Sequence, residues 1–133
     1  MKSNQFIIEE TSPFDFNNTV EKIVAEAERR EWKVQIIHDL QHSLAKSGKI
    51  VNPVKVIEIC KPEYSGQMLE LNDERIISVM MPCRISVYDK ADGKTHIAFV
   101  NTSTMTTGMP VKIAKVMTLI ADESLEIVKS VTK

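Results

Sequence analysis

Two segments near the ends of this chain each carry one apolar stripe at helical spacing, and that pair limits the fold more than any other feature. In the first, Phe16, Val20, Ile23, Val24 and Ala27 recur at helical intervals while Glu21, Lys22, Glu26 and Arg30 fill the other face. Asp15 or Asn17 suits the amino-terminal cap, and Arg29 and Arg30 lie where the negative end of a helix favours cations. In the second, which opens with Pro110, the residues Ile113, Val116, Met117, Ile120, Ser124, Ile127, Val128 and Val131 share one face. A helix with a single apolar stripe must bury it against another layer, and most of the intervening chain alternates at strand spacing.

Residues 6–10 read as a short strand ended by Thr11-Ser12-Pro13. Residues 32–38 set Val34, Ile36 and His38 against Lys33, Gln35 and Ile37, a strand with a mixed second face. A short helix over 39–46 stops at Ser47-Gly48, and 54–60 is the next strand. Pro62 suits the first turn of a helix over 62–71, with Met68, Leu69 and Leu71 for burial. Residues 75–80 permit a strand or a buried loop. The stretches 83–89 and 95–101 flank Asp92-Gly93, a strong hairpin signal, and the Thr-rich run 102–110 reads as a loop. The expected fold class is α+β: a largely antiparallel sheet with both long helices on one face, in the order strand, helix, strands, helix. A length of 133 residues without repeats or linkers predicts one domain, 1–133.

A net charge of -1 with both signs interspersed argues against nucleic acid as a partner, because phosphate binding shows as a basic patch. Apolar runs fall far short of the ~20 residues that cross a bilayer, so no membrane partner is expected. The amino terminus lacks the apolar core of a signal peptide, and a cytoplasmic address is expected. With four glycines there is no phosphate-cradling loop, and no zincin or serine-hydrolase motif occurs. Glu58, Glu63, Glu70, Asp73 and Glu74 give no readable acid/base pair. No cofactor is required by these residues, and the balance leans away from an enzyme.

What chemistry remains lies in two cysteines, each beside a proline at a strand end: Cys60-Lys61-Pro62 and Pro82-Cys83-Arg84. Two cysteines build no disulfide framework, and neither sits in C-x-x-C, so free thiols are expected. Cys83 alternates with Ile85 and Val87 and can equally be a small buried hydrophobe; Cys60 shares its face with Val54, Val56 and Glu58. If the two strands are adjacent and antiparallel, the thiols meet at one edge of the sheet. His38 could join them in a soft N/S site for zinc or copper(I), although the spacings match no metal signature and a strand-end histidine is commonly structural. His96 reads as a surface or second-face residue. Met105 and Met109, in the Thr-rich loop, could cover a pocket, line a partner surface or fold under the loop.

The segments Val56-Ile57-Glu58-Ile59-Cys60-Lys61-Pro62, Met81-Pro82-Cys83-Arg84-Ile85-Ser86-Val87-Tyr88 and Asp92-Gly93-Lys94 resemble the bacterial and archaeal domain-of-unknown-function family 302. The early helix followed by Trp32-Lys33-Val34 and Ile37-His38-Asp39-Leu40 fits as well, and the likeness spans nearly the whole chain. Trp32 departs from it, standing where a glycine is expected before the strand. The resemblance implies a TATA-binding-protein-like fold, a curved antiparallel sheet with two helices on one face, seen as dimers. It implies no function, and DNA binding by fold analogy alone would be associational. Cys60, Cys83 and His38 are the candidate site positions that match the family pattern.

The reading that results is a non-enzymatic binding or sensing module with a thiol-containing pocket for a soft metal or small ligand. The alternatives are a thiol-based redox or sulfur-handling enzyme, and a dimeric interaction module with structural cysteines. A homodimer is expected, through an open sheet face carrying Ile57, Ile59 and Tyr88.

Overall fold

The computed structural model describes residues 5–133. Its strands are β1 (Ile7–Thr11), β2 (Lys33–Asp39), β3 (Val54–Cys60), β4 (Cys83–Asp89) and β5 (Thr95–Val100). They form one sheet in the order β1-β5-β4-β3-β2, antiparallel at every pairing. The helices are α1 (Phe16–Arg29), α2 (Leu40–Ala45), α3 (Pro62–Leu69) and α4 (Val111–Thr132), with 3₁₀ segments at Asn72–Met80 and Thr102–Met105. This is the expected α+β class, with α1 and α4 packed against each other and against the same sheet face.

Both long helices follow their stripes. Asp15 caps α1, its Oδ1 accepting from the Asn18 amide at 2.8 Å. Thr19, Val20, Ile23 and Ala27 are buried on one side. Arg30 binds Glu26 within α1 and Glu126 on α4 at 2.6 Å each, tying the two helices at their polar edge. In α4 the buried set runs from Ile113 to Val131 on the predicted face. Glu31 adopts φ 66°, the left-handed conformation that usually calls for glycine after a helix. The unusual backbone therefore falls one residue before Trp32, whose side chain drops into the core and is 3% exposed.

The open face differs from expectation. Antiparallel partners share a face, and the register pairs Ile57 with Ile85 and Ile59 with Cys83. Because Ile85 and Val87 face the helices, Ile57 and Ile59 do so too, and each is fully buried. Only Tyr88 of the predicted trio lies on the open face, opposite Val54 and His96. A bulge between Val34 and Ile36 also breaks the alternation expected of β2. Val34 pairs with Ile59 on the helix side, whereas Ile36 pairs with Glu58 and His38 with Val56 on the open side.

Smaller departures have local causes. Residues 75–80 are neither strand nor buried loop; the 3₁₀ segment leaves Ile76 82% and Val79 80% exposed while Ile77 is buried. His96 is on the second face but not at the surface. It stacks on Tyr88 and holds Asp92 Oδ2 at 2.9 Å and Thr11 Oγ1 at 3.3 Å. Urea unfolding tests the revised faces: Ile59→Ala should cost about 2–5 kcal/mol and Val56→Ala no more than about 1 kcal/mol. Equal costs would contradict the assignment.

Candidate functional site

The antiparallel pairing of β3 and β4 brings the end of one strand beside the start of the other. Cys60 closes β3, Cys83 opens β4, and Cys83 stands opposite Ile59. Two residues after Cys60, Pro62 opens α3, which turns back to pack on α4. Between α3, these strand ends and Ile120 of α4 lies a cavity of about 240 Å³. Both cysteines line it, together with Trp32, Ile59, Tyr64, Met68, Leu69, Met81 and Pro82. Gln35, Lys61 and Ser65 supply its polar side chains.

The two thiols are free and half-buried. Cys60 Sγ lies 3.6 Å from Ser65 Oγ, one turn into α3. Burial pushes the Cys83 thiol up to about 11, with Cys60 adding to the rise and Arg84 opposing it. At neutral pH Cys83 is therefore a protonated, weakly nucleophilic thiol.

A polar cluster that the sequence reading did not single out braces one wall. Glu123 of α4 accepts from Trp32 Nε1 at 3.0 Å, from Lys61 Nζ at 2.7 Å and from the Tyr64 hydroxyl. Lys61 also sits over the Trp32 and Tyr64 rings, at 5.5 and 5.4 Å from their centroids. Burial works to raise the Glu123 pKa, but the three donors outweigh it and hold the carboxyl below its usual range. Sequence offered little warning, since the partners lie 59 to 91 positions apart. Trp32 standing in place of an expected glycine was the available signal.

The remaining candidates do not join the cysteines in this cavity. His38 binds Glu58 at 2.6 Å on the open face, with Arg84 Nε 3.6 Å from the same carboxylate. It pairs with Val56, four residues along β3 from Cys60, a separation of roughly 13 Å at strand rise. The β2 bulge is the reason it does not share the helix-side row. Met105 lines a second cavity of about 220 Å³, which shares Pro82, Cys83 and Ile120 with the first. Met109 lies apart, over the first turns of α4 with Val111 and Ala114. Both methionines fold back against the core. Among the described residues, no group of three or more His, Cys, Asp or Glu is placed to hold a metal ion. The Cys60, Cys83 and His38 set is thus not assembled.

Alkylation of the native protein with iodoacetamide near pH 7.5, followed by peptide mass mapping, should leave Cys83 largely unmodified. A rise of two pK units implies a thiolate fraction about 100-fold below that of an ordinary thiol. Rapid labelling of Cys83 in the folded state would contradict its placement. Glu123→Gln should cost about 1–3 kcal/mol, since three donors lose a charged acceptor. The depressed carboxyl contributes in full above its unfolded value near 4.5 and loses that contribution as pH falls through its lower folded value. Stability measured from pH 6 to 3 should therefore decline less steeply in Glu123→Gln than in the parent.

No helix among the described residues is long and apolar enough to cross a membrane. No curated protein matches the chain. Among solved structures, the crystal structure of an uncharacterised conserved DUF302 protein from Bacillus stearothermophilus is similar, with a TM-score of 0.86 and 17% identity. That similarity covers 96% of this chain and 98% of the other, and at this identity it speaks for the fold alone. A family model described as "Domain of unknown function DUF302" matches residues 8–132, and since that span takes in nearly every strand and helix described above, the chain belongs to the DUF302 family.

Proposed function

We propose that this chain is a non-enzymatic binding or sensing module whose occupant, a soft ion or small molecule, sits in the thiol-containing cavity beneath α3. The observation that carries the reading is that cysteines 23 positions apart in sequence line one mainly apolar cavity of about 240 Å³. Sites for small ligands are concave, largely apolar and furnished with a few polar groups, which here are Gln35, Lys61, Ser65 and the thiols. The competing redox or sulfur-handling enzyme requires an accessible thiol of depressed pKa, and burial moves Cys83 the other way. Free, unpaired cysteines favour a reducing cytoplasm as the setting.

We propose further that the module works as a homodimer through its open sheet face. Ile7 and Val100 pair on that face and are 54% and 41% exposed. Ile36, 51% exposed, lies across the Arg84–Glu58 ion pair from them at the other edge of the sheet, so that a second copy would cover apolar flanks around a charged centre. Sedimentation should report a dimer at micromolar concentration, and a monomer would reject this assembly.

Trp32 is the sole tryptophan and lines the cavity, so its fluorescence reports occupancy. Titration with hexan-1-ol, an apolar probe with one hydroxyl, should change that fluorescence saturably. Ser65→Phe, which fills the space from α3, should abolish the change. An effect that never saturates, or one that is identical in the variant, would overturn the cavity as the binding site.

A further inference from the structure

We propose that the cavity beneath α3 binds a soft monovalent d10 cation, copper(I), through the sulfur atoms of Cys60, Cys83, Met68 and Met81. This rests on the binding-module reading and names its occupant. Four sulfur-bearing side chains line the one cavity, and they come from separate pieces of chain. Cys60 is supplied by the end of β3, Cys83 by the start of β4, Met68 by α3, and Met81 by the link before Pro82.

Methionine is commonly a core filler, and at Met117 it is one. Met68, 4% exposed, and Met81 also pack against the core, and unlike Met117 both line the cavity that the two free cysteines line. The donor chemistry then selects the ion. Zinc takes nitrogen, thiolate or carboxylate ligands, four in a structural site, and calcium or magnesium takes oxygen. Among the described residues, no three His, Cys, Asp or Glu are grouped to provide such a set. Thiolate with thioether is the combination that suits copper(I).

Binding would form copper–sulfur bonds to both cysteines and release their two thiol protons to solvent. No electron moves, because the ion enters as copper(I). Two thiolates around one monovalent cation leave a single negative charge near Lys61, a cavity-lining ammonium that is already paired with Glu123 at 2.7 Å.

The test is an anaerobic titration of the reduced protein with copper(I) buffered by bicinchoninate, repeated with silver(I) as a redox-inert ion. One equivalent should be withdrawn from the chelator, with a thiolate-to-metal absorption in the ultraviolet. Cys60→Ser and Cys83→Ser should each weaken binding by roughly 100-fold or more, and Met68→Leu and Met81→Leu by about tenfold. Thermal unfolding of the metal-free variants checks that they fold, and Cys→Ala replaces any serine variant that does not. Copper left on the chelator, unchanged affinity in either cysteine variant, or unchanged affinity in both methionine variants would overturn the four-sulfur site. If copper fails while hexan-1-ol still shifts Trp32 saturably, this assignment falls and the binding module stands; failure of both removes both.

Discussion

The pairing of β3 with β4 is the constraint on which the rest of the molecule depends. Its register sets Ile57 opposite Ile85 and Ile59 opposite Cys83, which commits a continuous aliphatic row to the helix side. Burying an isoleucine contributes on the order of 1.5–3 kcal/mol, so a one-residue slip that turned this row to solvent would forfeit several such contributions at once. The same register places the last residue of β3 beside the first of β4. The cysteines are therefore neighbours of the cavity as a by-product of the pairing that builds the core.

The helices complete the enclosure by different means. α1 and α4 lie over the aliphatic row and are joined by Arg30 and its two glutamates. α3 is short and adds little apolar surface of its own beyond Tyr64 and Met68. Its attachment to α4 runs through the Lys61 and Tyr64 contacts with Glu123, which also fix Trp32. A braced polar clamp at the edge of an apolar cavity holds the α3 wall in place while the space behind it stays unfilled.

Local periodicity made much of this fold legible. The bounds of β3 and β4, the Asp15 cap and the Asp-Gly hairpin could be read from short windows because neighbouring residues decide them. The bulge in β2 could not, because it is resolved by how Val34 and Ile36 each find partners on β3, and it turns His38 to the open face that strict alternation does not predict. Misplacing Ile57 and Ile59 had the same origin: face assignment is a property of the paired sheet rather than of one strand. Of the site, the strand-end positions of Cys60 and Cys83 were visible. Met68 was read for burial, and nothing local linked Glu123 to Lys61 and Tyr64 across some sixty positions of chain.

The central claim is that the space beneath α3 is an open cavity that a guest can enter rather than a filled part of the core. Methyl NMR of methionine- and isoleucine-labelled protein under xenon pressure tests it most directly, since xenon enters apolar cavities without needing any particular polar contact. The account predicts shifts concentrated at Met68, Met81, Ile59 and Ile120, which line the cavity, with Ile23 and Ile127 in the packed core unmoved. An absence of shifts, or shifts spread evenly over both sets, would contradict it.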